Sequence, residues 1–219
     1  MSVSKENFIK AVYKLQQGVG QNTRPGTIAS VLGISNAAAT DMARKLAARG
    51  LINYVKYHPI TLTESGRLMA LDVLRKHRLW ETFLHEVLGL SMFEIHREAE
   101  LLEHQTSDFL AEKIDDYLKN PTTDSHGDPI PTADGSIEFP DENIILTEAP
   151  VGTIYQVSRL AGSDKEFFDF CNDNHIIPGA QLTVGNRYNG GQTTEIVINN
   201  SKLLLNTDFT NLIYVRQNQ

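Results

Sequence analysis

The chain has 219 residues, 41% of them hydrophobic, and a net charge of −7. That length permits two or three domains with modest cores. The single cysteine, Cys171, excludes an intrachain disulfide framework, and no apolar run reaches the length of a membrane span. A reducing cytoplasm is the expected compartment, since the first residues, MSVSKENFIK, hold no hydrophobic signal region. The charge is uneven. Residues 1–63 carry eight Lys/Arg against two acids, a net of +6, which leaves −13 for the remainder. A basic first segment on an acidic chain points to a polyanion partner.

In chain order, residues 4–17 read as a helix with an apolar stripe through Phe8, Ile9, Val12, Tyr13 and Leu15. A short helix fits 25–32, with Pro25 at its start and Gly33 past its end. Ser35 is the expected N-cap of a third helix running toward Gly50. Two β-like runs, 51–56 and 60–63, flank a Tyr57-His58-Pro59 turn. Helix, turn, helix and hairpin in this order make a winged helix-turn-helix. Ser35, Asn36, Ala37, Thr40 and Asp41 then fall at the groove-entering start of the third helix, small and polar enough to approach base edges. Arg44, Lys45 and Arg49 are the expected phosphate contacts, with Lys56, Tyr57 and His58 at the tip of the wing. Asp41 is the expected partner of a cytosine amino group.

A long helix is expected from Thr63 to about Leu88, carrying His77 and Glu81. Ser91 and Glu94 form a capping box for the next helix, which carries His96, Glu100, Glu103 and His104. Residues three and four apart share a helix face. Two histidines and two carboxylates turned one way, with His77 and Glu81 on a second helix, are the materials of a divalent-metal site. A further helix is expected over 106–119, and the helices together bear more apolar surface than one small bundle needs, which suggests a dimer. Residues 120–148 are proline-rich and acidic and read as a linker, with His126 set among acids in DSHGD. Five short strands and one helix near 163–174 make the remainder a small barrel.

These parts resemble the diphtheria-toxin-repressor family of metal-dependent transcriptional regulators in its three-domain form. The resemblance rests on RKHRLWETFL, EIHREAELLEH, HGDPIP and NHIIPGAQLTV, the last similar to a FeoA-type SH3-like barrel. It implies a mainly α fold with a β C-terminal domain: a winged-helix domain over 1–63, a helical metal-binding and dimerisation domain over 64–119, a linker over 120–148 and a barrel over 149–219. It also implies two metal sites. One uses Glu100, Glu103 and His104, with His77 in the manganese branch and carboxylates from the first helix. The other uses His77, Glu81 and His96, completed by an acidic barrel residue that matches Asp164; in some three-domain manganese regulators the linker contributes too, which here recruits His126 and Asp124. The chain departs from the family where Asn7 stands for Met or Asp, Lys10 for a manganese-branch Glu, and Phe167 for a second barrel ligand. Asn7 retains a carbonyl oxygen as a donor.

A donor set of oxygen and nitrogen without thiolate favours Mn(II) or Fe(II), while Zn, Co and Ni are alternatives in vitro. The expected molecule is a cytoplasmic homodimer that binds palindromic double-stranded operator DNA, without a membrane, a small-molecule substrate or enzymatic activity. Two other readings stand beside it. One is a small metal-dependent hydrolase. The other is a winged-helix regulator with a vestigial metal site that senses a different signal.

Overall fold

The computed structural model describes residues 2–17, 22–139, 143–162 and 164–217. The chain forms two compact units, each assembled from several segments. The first comprises Met1–His77, Glu100–Lys113 and Pro131–Ile137; the second comprises Arg78–Ala99, Ile114–Ile130 and Glu138–Gln219.

The first unit begins with α1 (Val3–Gln17), α2 (Pro25–Leu32) and α3 (Asn36–Ala47), followed by β1 (Ile52–Asn53) and β2 (Thr61–Leu62). Pro25 opens α2, where its missing N–H is no loss, and Gly33 closes it at φ 63°. Ser35 caps α3 by accepting the Ala38 N–H. The two wing strands pair antiparallel, Ile52 opposite Leu62. They are shorter than the runs expected from sequence, and the turn between them holds Tyr57 at φ 71°. Phe8, Ile9, Val12, Ile28, Leu46 and Ile60 are fully buried in one core with Leu71 and Leu74 of α4 (Glu64–Glu86). At the head of α4, Thr63 accepts the Gly66 N–H and donates to Gly50 O. A Cβ at Gly66 would lie 1.9 Å from Leu51 O, so only glycine fits there. The end of α5 (Met92–Leu102) and the start of α6 (Asp108–Tyr117) complete this unit.

In the second unit, α5 starts on the expected capping box. Ser91 N–H donates to Glu94 Oε2, and Glu94 N–H donates to Ser91 Oγ. The β part contains β3 (Ile144–Ile145), β4 (Ile154–Leu160), β5 (Gln181–Tyr188), β6 (Thr193–Ile198), β7 (Ser201–Asn206) and β8 (Ile213–Arg216). They form one antiparallel sheet in the order β3-β8-β4-β5-β6-β7, bent by irregularities at Val157/Arg159 and Val184/Arg187. α7 (Lys165–Asp173) and the short α8 (Thr207–Thr210) pack on a core that includes Phe167, Tyr155, Ile196 and Val215. The sixth strand, β3, comes from the segment read as linker; two residues are too few to show alternation. Phe167, 0% exposed, is a core residue and not a ligand.

Candidate metal centres and DNA-facing surface

In the first unit, Glu100 stands in the last turn of α5, and Glu103 and His104 lie in the turn that follows its end at Leu102. Their ligand atoms lie within 4.8 Å of one another. The helix expected from sequence to carry all three thus stops just before Glu103. Glu103 is 2% exposed, and His77 Nδ1 from α4 lies 2.6 Å from its Oε2. Helix α1 contributes two side chains one turn apart. Glu6 Oε2 lies 2.6 Å from His104 Nδ1. Lys10, 5% exposed, donates from Nζ to Glu100 Oε1 at 2.7 Å and to Glu103 Oε1 at 2.6 Å. Burial alone would raise the Glu100 carboxyl, but the Lys10 charge and hydrogen bond outweigh it and hold it below the usual carboxylate range. Asn7 Oδ1 is buried without a hydrogen-bond partner.

The second unit builds another cluster. Glu81 of α4, Asp124 and His126 place ligand atoms within 4.8 Å of one another, and all three are buried. His96 Nδ1 of α5 lies 3.0 Å from Glu81 Oε1. The loop bearing Asp124 and His126 is held from several sides. Asp124 Oδ1 accepts the N–H groups of His126 and Asp128. Arg78 donates to Asp128 Oδ1. Leu160 N–H of β4 donates to His126 O. Gly127, at φ 88°, has no room for a side chain, because a Cβ would lie 2.0 Å from Ser158 O. Burial, and then the charges of Glu81 and Asp128, push Asp124 up to about 7. Burial alone would lower His126, but its hydrogen bond to Glu81 and the charges of Glu81 and Asp124 outweigh this and raise it to about 9.

The structure thus sorts the expected donors differently from the sequence. His77 lies 2.6 Å from Glu103 Oε2, and His96 lies 3.0 Å from Glu81 Oε1. Asp164 is the N-cap of α7, accepting the Phe167 N–H, and is not among the clustered donors of the described residues. Asp124 and His126 take the place beside Glu81. Sequence reasoning missed Glu6, although it sits one turn before Lys10 on the same face of α1.

The start of α3 exposes Ser35, Asn36 and Ala37. Thr40 is half-buried and donates to Asn36 O. Arg24, Pro25, Thr40, Arg44, Tyr54, Lys56 and Tyr57 line an open cavity of about 480 Å³ between α3 and the wing. Its three cations have no acid among the lining residues. The Lys56 ammonium lies 4.8 Å from the Tyr57 ring centroid, and Tyr57 is 80% exposed. Asp41 pairs with Lys45 at 2.7 Å instead of standing alone at the surface. Arg49 and His58 are exposed beyond α3 and at the wing.

Comparison with known proteins gives the following. Residues 1–60 match the family model for the iron-dependent repressor N-terminal DNA-binding domain, residues 63–132 the model for its metal-binding and dimerisation domain, and residues 144–217 the FeoA domain. The iron-dependent repressor IdeR of Mycobacterium tuberculosis (strain ATCC 25618 / H37Rv) is 31% identical over 205 residues, 87% of each chain. A solved manganese-dependent transcriptional repressor in complex with manganese superposes with a TM-score of 0.90 at 32% identity, covering 98% of this chain and 100% of that one. ScaR with bound Zn2+ superposes with a TM-score of 0.80 at 29% identity, covering 98% and 99%.

Proposed function

Since the chain belongs to the iron-dependent repressor family of metal-dependent, DNA-binding transcriptional regulators, we propose that it represses metal-homeostasis genes in the cytoplasm as a homodimer on palindromic operators. The observation that carries this reading is the pair of His/carboxylate clusters, one of them buried throughout, in a chain that opens with a winged helix. Members of this family are repressors and not enzymes. Among the described residues no helix is long and apolar enough to cross a membrane.

The second cluster fits a divalent metal by donor chemistry, whereas the first holds the Lys10 ammonium against two of its carboxylates. Glu81, Asp124 and His126, with His96 beside Glu81, offer oxygen and nitrogen donors suited to Mn(II) or Fe(II). Glu100, Glu103 and His104 offer the same classes, with Glu6 and the unpartnered Asn7 oxygen nearby on α1. When bound, such an ion supplies positive charge and draws carboxylates and imidazoles from different elements to one point. The residues do the rest. Glu103, His104 and Glu6 tie the turn after α5 to α1, and α1 packs with α2 and α3 in one core. The position of α3 is thereby coupled to the charge state of the cluster. Leu101, Phe109 and Leu110 are exposed apolar side chains suited to a dimer face. In a dimer, two α3 helices set about 34 Å apart, or a multiple of it, read successive half-sites. Ser35, Asn36, Ala37 and Thr40 face the bases in this reading, and Arg24, Arg44 and Lys56 the phosphates.

The test is a labelled operator duplex, selected from random DNA by the protein, titrated anaerobically in chelator and then in Mn(II) or Fe(II) at matched free concentrations. Metal should tighten binding about tenfold or more. Equal affinity in chelator and in metal would leave the vestigial-site reading standing and remove this one.

A further inference from the structure

The Glu100/Glu103 carboxylates already hold a cation. Lys10 is 5% exposed, and its ammonium touches both carboxylates, at 2.7 and 2.6 Å. Glu103 is buried and Glu100 half-buried; two carboxylates this close repel each other and are costly without a positive partner. An ammonium is a compact point charge with three donors, and two of them are directed at the oxygens a metal would use. The Coulomb attraction of a divalent ion for the pair is larger than that of Lys10. To realise it, however, the ion must expel Lys10 from contact with both carboxylates and leave that ammonium a new environment inside the core-facing side of α1. The second cluster is held differently: its neighbouring cation, Arg78, lies 3.7 Å from Asp124 Oδ2 and directs its hydrogen bonds to Pro129 O and Asp128 Oδ1, outside the clustered donors.

We propose that Lys10 is the resident cation of the Glu100–Glu103–His104 cluster, so that each protomer binds one divalent ion tightly, at Glu81–Asp124–His126. This rests on the reading of both clusters as metal-responsive elements. In this chain the link from α5 to α1 is then built in through Lys10 and Glu6, and the metal signal enters through the loop that bears Asp124 and His126. Replacing Lys10 by an uncharged side chain of similar length opens the first cluster to a second ion.

Equilibrium dialysis against Mn(II), with bound metal counted by elemental analysis, tests the proposal on the full-length protein and on Lys10→Met, Glu81→Gln and the Lys10→Met/Glu103→Gln double variant. Thermal melts in chelator and in Mn(II) accompany each. The unmodified protein should bind one tight ion per protomer, and Glu81→Gln should lose it. Lys10→Met should bind two and should gain more melting temperature from Mn(II) than the unmodified protein does. The double variant should return to one. Two equally tight ions on the unmodified protein overturn the proposal, whether or not Lys10→Met folds. No tight ion on the unmodified protein, with one gained by Lys10→Met, keeps Lys10 as the resident cation and overturns the second cluster as a metal site. No tight ion on any variant overturns both.

Discussion

Arg44→Ala tests the DNA-facing surface through its salt dependence. The cavity between α3 and the wing presents Arg24, Arg44 and Lys56, with no acid among its lining residues. If each cation meets one phosphate, a dimer neutralises about six, and each contributes about 0.9 to the slope of log affinity against log salt on B-DNA. The slope is then about −5.4, and raising salt from about 50 to about 200 mM weakens binding about 2,000-fold. Arg44→Ala removes two of the six contacts, giving a slope of about −3.6 and a loss of about 150-fold over the same range. Lys45→Ala should change the slope by less than half as much, because the Lys45 ammonium is already paired with Asp41 at 2.7 Å. Fluorescence anisotropy of a labelled non-operator duplex, at saturating metal and four or five salt concentrations, gives these slopes directly. An Arg44→Ala slope equal to that of the unmodified protein, or a larger change from Lys45→Ala, would refute the assignment of the cavity to the phosphate backbone.

Three further outcomes follow from the second unit. Gly127→Ala should destabilise the protein by about 1–3 kcal/mol in thermal melts, from strain at φ 88° and the approach to Ser158 O, and should weaken Mn(II) binding although no donor has changed; wild-type affinity would show that the loop tolerates displacement. Mn(II) affinity should fall as pH is lowered from 9 to 6, because Asp124, raised to about 7, and His126, raised to about 9, must both shed a proton to act as donors. Calorimetric titration in two buffers of different ionisation heat should show proton release below pH 7, and its absence would reject this donor pair. Burial, with a smaller contribution from Asp164, pushes the Cys171 thiol up to about 12. A thiol reagent at pH 8 should therefore leave the native protein unlabelled and label it fully in denaturant; rapid native labelling would contradict the buried environment.

Much of the fold was legible because its signals are local. Pro25, Gly33, Ser35 and the Ser91/Glu94 box each act on the backbone within a few residues, and each sits at a helix end in the structure. Glu100, Glu103 and His104 do cluster as their spacing suggests, although α5 ends at Leu102 and the last two lie in the turn beyond it. What spacing cannot convey is the partner across the gap. His77 and Glu81 are one turn apart on α4, yet His77 lies against Glu103 and Glu81 against His96. In the segment 120–148, proline and acid content reads as a linker and says nothing of which side chains are buried. Asp124 is buried, accepting two backbone N–H groups of its own loop, a pattern that counts of residue types do not contain. As a metal ligand Lys10 is a misfit in the sequence. Its value as a counter-charge depends on the two carboxylates that fold onto it from ninety residues away.

The hydrogen bond from Leu160 N–H to His126 O has a thermodynamic consequence. An ion gripped in part by His126 and Asp124 is gripped only while the backbone of β4 is folded. By mass action, any ligand that selects the folded state stabilises it, by about 2.7 kcal/mol at a hundredfold excess over its Kd. That stabilisation falls on the sheet as well as on the helices. Amide hydrogens of β4 and of its neighbours β5 and β8 should therefore exchange more slowly as metal is added, and loss of the sheet by local unfolding should release the ion. If the ion is bound at this loop, the C-terminal module is a clamp whose own folding equilibrium helps set the metal concentration at which the protein responds.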